Sequence, residues 1–435
     1  NYYLCSKNAT NKLSWRIGLQ IYSFEQFDLK YNRPDIVLER LGYASPELIE
    51  AYHKAYLKRI KRMGFTEEQL SGEFHLPEAQ IENFEYMPVI DEDEIEIDLN
   101  FNDSKYKLDR YNIWINDVPV YGMYGKSLRT QNTDKFSVKE TIQLSEGENK
   151  IQVSCLNEKG AESYKETEYI TYEPKEKTRP DLYLVAVSVS EYMDSTMNLK
   201  YAVKDGRDMA NLFVQNTGNR YENVYIDTLF DSNATIENVA AVKTKLMSSK
   251  VDDEVILYVS GHGLLDDNLD FYFASHNMDF SDPARFGISY DLLEGLLDSI
   301  PARKKIFLMD ACHSGEVDKE NTAASDSLLA IEGGKNGLKT YTYRGGEMTE
   351  EEGSGLGLQN SFELMQELFA NLNRGSGAVV ISAAAGNSYA LESKEWNNGV
   401  FTYAILNGLI NKEADQNQDG QIMVSELRAY DWRVW

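Results

Sequence analysis

Five short, nearly continuous apolar runs in the second half of the chain constrain its fold more than any other feature: LYLVAVSV, NVYIDTLF, EVILYVS, KIFLMDA and AVVISAA. Strands that are apolar on both faces are buried on both, the condition of a parallel sheet covered by helices. Between them lie segments of helical period, among them LKYAVKDGRDMANLFVQ, IENVAAVKTKLM and SYDLLEGLLDSI. Residues 180–435 therefore read as an α/β unit, a mostly parallel sheet with helices on both faces. In an open parallel sheet, reactive groups collect beyond the carboxyl ends of the strands. Two such ends stand out, one where EVILYVS runs into Gly261-His262-Gly263 and one where KIFLMD runs into Ala311-Cys312-His313-Ser314-Gly315.

If those two strands are neighbours, His262 and Cys312 emerge side by side. A thiol attacks a peptide only as the thiolate, so an imidazole that takes its proton and later returns it to the leaving amine is the minimum equipment. The glycines have their own use, because a tetrahedral intermediate needs backbone N–H donors about 3 Å from its oxyanion and a side chain at Gly263 would crowd it. The amides of Gly263 and Cys312 are the expected donors. A lone buried cysteine or histidine is usually inert packing; two at adjacent strand ends, each beside glycine, favour catalysis.

YVSGHG after one strand and DACHSG after the next resemble the histidine and cysteine motifs of the caspase-like cysteine peptidases, in the metacaspase form more than the animal one. The resemblance spans Leu182 to Leu427 and implies a caspase-like fold and an endopeptidase with a Cys-His dyad and no obligatory third member. It also implies a specificity pocket. Acidic residues at the positions of Asp205 and Asp310 line the metacaspase pocket for the residue before the cut, with Ser260 at its floor. A desolvated carboxylate pair calls for a cation, which a guanidinium supplies bidentately. The expectation is cleavage of proteins or peptides after Arg, or Lys, with no cofactor needed for the chemistry. The plain alternatives are a helix-start carboxylate at Asp205 and a strand-end residue bonded to loop amides at Asp310.

Upstream, residues 1–75 read as an irregular stretch followed by a helical hairpin. Pro34 opens one helix, Ser45-Pro46 caps the next and Gly64 stops it, while Thr66 and Gln69 have capping-box spacing. Residues 91–175 alternate apolar and polar in short strands, EIEIDLNF to YKETEYITYE, indicating a small antiparallel sandwich that resembles an immunoglobulin-like module. The charged stretch Glu173 to Arg179 is the expected linker. A chain beginning at Asn1 suggests a fragment of a longer protein, and the resemblance to bacterial caspase-like effectors implies an upstream sensor or interaction module.

A formal net charge of -26 disfavours a nucleic-acid partner. No apolar stretch is long enough for a membrane span, and the 3 widely spaced cysteines suit a reducing compartment, so a cytoplasmic protein is expected, while the resemblance to metacaspases implies a monomer. Between Glu316 and Gly357 the chain loses periodicity. It reads as a loop in which Lys319, Lys335, Lys339 and Arg344 are candidate self-cleavage points, or as a plain surface insertion. From Asp415 the oxygen ligands Asp415, Asn417 and Asp419, then Gly420, Gln421 and Glu426, follow the EF-hand calcium loop, so Ca2+ is a candidate regulator, the alternative being a metal-free Asx-rich turn. The helix after this loop breaks off abruptly at SELRAY before DWRVW, which suggests that residues are missing between Tyr430 and Asp431. The competing reading of the whole is a catalytically silent scaffold that acts as a protein-interaction module.

Overall fold

The computed structural model describes residues 2–5, 12–84, 88–266, 268, 270–313, 329–331, 339–343, 375–383, 391–393 and 396–434. After a two-stranded hairpin, Ser14–Ile17 with Gln20–Ser23, the chain forms helices α1 (Pro34–Leu41) and α2 (Pro46–Arg62). The capping chemistry explains their ends. Gly42 takes φ 76° after α1, and the Ser45 hydroxyl accepts from Leu48 N at the start of α2. Thr66 and Gln69 close a reciprocal capping box on the short helix that follows. Leu38 and Leu48 pack on Ala51 and Tyr52, which holds the two helices as a hairpin.

Two antiparallel sheets come next. Strands β1 (Glu78–Glu82), β2 (Glu94–Asn102), β3 (Leu108–Ile115), β4 (Lys135–Gln143), β5 (Gly147–Asn157) and β6 (Glu166–Tyr172) divide into β1-β2-β4 and β6-β5-β3. Alternate residues meet in one core: Ile97, Leu99 and Phe101 from β2 face Tyr111, Ile113 and Ile115 from β3 and Ile151, Val153 and Cys155 from β5. The sandwich takes in a strand, β1, upstream of residue 91.

The second half is a mixed α/β unit. In its seven-stranded sheet, β7 (Leu182–Ser188), β8 (Val224–Phe230), β9 (Glu254–Leu265), β11 (Lys304–His313) and β12 (Val379–Ser382) run parallel in the order β8-β7-β9-β11-β12. The end of β9 turns back as a hairpin with β10 (Phe271–Phe273). Residues of one parity, such as Val185, Leu257 and Phe307, pack under α4 (Ile236–Leu246) and α5 (Tyr290–Leu297). The other parity, Leu184, Tyr258 and Leu308, packs under α3 (Ala202–Val214), α6 (Val400–Ile410) and α7 (Val424–Val434). This two-sided burial is why the strands read as continuous apolar runs.

One local expectation is corrected. The stretch from Glu316 to Gly357 is not loop throughout, because Leu329–Ile331 pairs antiparallel with Lys339–Tyr343. The latter reads KTYTY, whose β-branched and aromatic residues favour a strand.

Candidate active site

His262 and Cys312 are Cα register partners on the adjacent parallel strands β9 and β11, in the last residues before each strand ends. Adjacent strands lie about 4.8 Å apart, so the register brings the two backbones to one place on the sheet. Ser260 and Asp310 are partners two residues earlier. Because side chains alternate, they share the face covered by α3 and α6, so one register brings together both pairs of residues singled out in the sequence.

The imidazole of His262 is buried and held from three sides. Its Nε2 lies 2.8 Å from the carbonyl oxygen of Met197, in the connection between β7 and α3. A carbonyl can only accept, so this bond puts the ring proton of the neutral imidazole on Nε2 and its basic lone pair on Nδ1. The rings of Tyr192 and Phe280 lie 5.1 and 5.9 Å from the imidazole. The Tyr192 hydroxyl accepts from His262 N at 3.1 Å and donates to Val189 O at 3.3 Å. A Cβ at Gly261 would meet Tyr192 OH and Phe273 Cζ at 3.0 Å, so the small residue before the histidine leaves room for that tyrosine. Gly263 pairs with Phe273 in the β9-β10 hairpin, while Ala274 N donates to His262 O at 2.9 Å.

Asp205, in the first turn of α3, and Asp310 are both fully buried. Asp205 accepts from Asn398 Nδ2 at 2.9 Å and from Gly399 N at 3.1 and 3.2 Å. Asp310 Oδ2 accepts from Thr402 Oγ1 at 3.3 Å and, at 3.5 Å, sits at the limit of a bond from Ser260. Both carboxylates act on one group: burial, then the charges of Asp205 and Asp310, hold the Tyr258 phenol far above its usual range. Motif reading missed Met197, Tyr192, Asn398 and Thr402. The first acts through its main chain and left no signal at all.

At the loop from Asp415 to Glu426, between α6 and α7, Asp415 accepts from Asp419 N and Gly420 N at 3.2 and 2.9 Å. Asn417 accepts from Asp419 N at 2.9 Å, and Asp419 from Gln421 N at 2.8 Å. Glu426 reaches back to Asn417 N and Met423 N. The donor types fit a calcium loop, but its carboxylates are engaged by its own amides. Among the described residues no group of three or more His, Cys, Asp or Glu is placed to hold a metal ion. Lys319, Lys335 and Arg344 lie outside the described residues, and Lys339 opens a strand. No helix among the described residues is long and apolar enough to cross a membrane.

The family model for the caspase domain matches residues 183–428, more than half of the chain. The chain belongs to the caspase-domain family. Residues 183–428 are thus the caspase domain, of a family of cysteine peptidases that act on proteins, and the sheet carrying His262 and Cys312 is its sheet. No curated protein matches the chain. Among solved structures, the chain is similar to the fibronectin(III)-like modules of CbhA from Clostridium thermocellum, at 14% identity over 25% of this chain and 53% of that one, with a TM-score of 0.18. It is also similar to protein GSU0716 from Geobacter sulfurreducens, at 16% identity over 59% and 89% with a TM-score of 0.36. The SrpA adhesin of Streptococcus sanguinis matches at 11% identity over 28% and 66%, with a TM-score of 0.19. Likenesses this slight do not bear on the fold of the caspase domain.

Proposed function

We propose that the chain is an active cysteine endopeptidase of metacaspase type, from a bacterium, that cuts after Arg, or Lys, with Cys312 as nucleophile and His262 as its base. The observation that carries this reading is the register pairing of His262 with Cys312 at the carboxyl ends of two central strands. With its proton held on Nε2 by Met197 O, the imidazole accepts the thiol proton at Nδ1. The thiolate adds to the scissile carbonyl, and amides at Gly263 and Cys312 receive the oxyanion. Collapse to the thioester breaks the C–N bond, and the imidazolium gives its proton to the leaving amine. Water, deprotonated by the same nitrogen, then hydrolyses the thioester. The substrate cation is drawn to the carboxylates of Asp205 and Asp310, with Ser260 beside them.

The finer parts of the proposal are self-processing at a basic residue after the nucleophile and a monomeric enzyme with an immunoglobulin-like sandwich at residues 91–175. Calcium would be held by oxygens of Asp415, Asn417, Asp419, Gln421 and Glu426, whose carboxylates keep lone pairs for a cation beside the loop amides; a single loop without a second hand favours a weak, regulatory site. The test is turnover of a fluorogenic Arg peptide with and without calcium, beside a Cys312→Ala control. Turnover that vanishes in the control, with fragments of the chain forming only in the wild type, is expected. No turnover, and no labelling of Cys312 by a thiol probe that depends on His262, leaves the silent scaffold in its place.

A further inference from the structure

We propose that Asn398 and Thr402, at the N-terminal end of α6, keep the buried carboxylates Asp205 and Asp310 ionised and oriented, and so set the preference of the pocket between Arg and Lys; this rests on the basic-pocket reading above. Asn398 spends both amide protons on acids, donating to Asp205 Oδ1 at 2.9 Å and to Asp208 Oδ2 at 2.8 Å. Asp208 is also paired with Lys204 at 2.5 Å, so the acidic wall has a third carboxylate, with one neutral amide between it and Asp205. On the other side the Tyr258 hydroxyl and Thr402 Oγ1 are 2.6 Å apart. Burial, then the charges of the two aspartates, hold that phenol neutral. Either oxygen could donate in this pair, but Thr402 has one proton and turns it to Asp310, which leaves the phenol as the donor.

Burial favours the neutral form of a carboxylic acid, while donated hydrogen bonds favour the anion. With both aspartates fully buried, the donors on α6 shift the balance towards the anion, helped by the positive end of an 11-residue helix. Asn398 and Thr402 are positioning residues because they act through the carboxylates. A guanidinium needs its acceptors fixed in a plane, whereas an ammonium on a flexible stem adjusts to displaced ones. Loss of an α6 donor should therefore harm Arg substrates more than Lys substrates.

The test is Asn398→Leu, close in volume but without donors, with Thr402→Val as a second, milder variant. For each, kcat/KM is measured across pH on paired Arg and Lys peptides, with the rate of Cys312 alkylation as control. Expected is a fall of about 10- to 100-fold in kcat/KM for the Arg peptide, mostly in KM, with a smaller fall for Lys. The acid limb of the profile should move to higher pH and alkylation should hold its wild-type rate. A merely structural role would lower both peptides equally and slow alkylation. Arg KM within about twofold of wild type and an unmoved acid limb in both variants overturn the proposal. A wild type with no preference for basic residues overturns the pocket reading itself.

Discussion

Arg62, at the last turn of α2, reaches out of the helical hairpin to the peptidase unit, where its guanidinium pairs with Glu294 on α5 and, at 3.3 Å, with Asp291. The two acids differ in environment. The Glu294 side chain is 1% exposed, against 77% for that of Asp291, so the second contact is a surface pair and contributes little. Arg62→Leu leaves the Glu294 carboxylate buried without this cation. Removing one partner of a buried pair costs about 3–5 kcal/mol. Since Arg62 is itself 24% exposed, the lower end, about 3 kcal/mol, is expected. Replacing both partners by apolar residues is often neutral, so Arg62→Leu with Glu294→Leu should recover most of the loss. A chain of several units need not unfold in one step, which makes amide hydrogen exchange of α2 and α5 the better assay. The single variant should speed exchange in both helices by about 100-fold, in line with about 3 kcal/mol, and the double variant should restore it. Exchange within fivefold of wild type in the single variant, or no recovery in the double, refutes the reasoning.

Lys305 gives a stability prediction with a definite sign. It is buried at the start of β11, donating to Leu297 O at 3.1 Å, and burial lowers its pKa to about 8, with Lys243 and Arg303 adding to the shift and Asp298 opposing it. Above pH 8 the unfolded chain keeps a proton that the fold has released, so wild-type stability, relative to Lys305→Met, should rise by about 1 kcal/mol from pH 8 to 9. Denaturant titrations of both proteins at the two pH values check it, because the Cys155 thiol, held protonated by burial, pulls the other way over the same range but equally in the two proteins. Tyr192→Phe removes the hydroxyl that accepts from His262 N, and about tenfold in kcat with KM unchanged is expected if that bond aligns the imidazole. Steady-state kinetics on one peptide decides it, and an unchanged kcat shows that the ring contacts suffice.

Legibility followed the physics of each feature. The central strands β7, β9 and β11 could be read because burial on both faces leaves a nearly unbroken apolar signature, and the helix boundaries because Gly42 after α1, Ser45 before α2 and Thr66 before the short helix that follows are capping residues with a fixed stereochemistry. Strand β1 escaped notice: EAQIE is short and its outward residues are charged, so it becomes a strand only through its antiparallel pairing with β2. Likewise His262 and Cys312 could be named from their motifs, but their pairing is a fact of register. The partners of the site were harder still. Met197 contributes a carbonyl that any residue would supply, and Asn398 lies 193 residues from the Asp205 it binds. A loop such as the one after β7 is held to the site by side chains that carry no motif, here Tyr192 against His262 and His276 against Glu191 O. It follows that substitutions in the connection from β7 to α3 should alter the imidazole without touching either motif, because the acceptor that fixes its proton is carried on that connection and on neither strand.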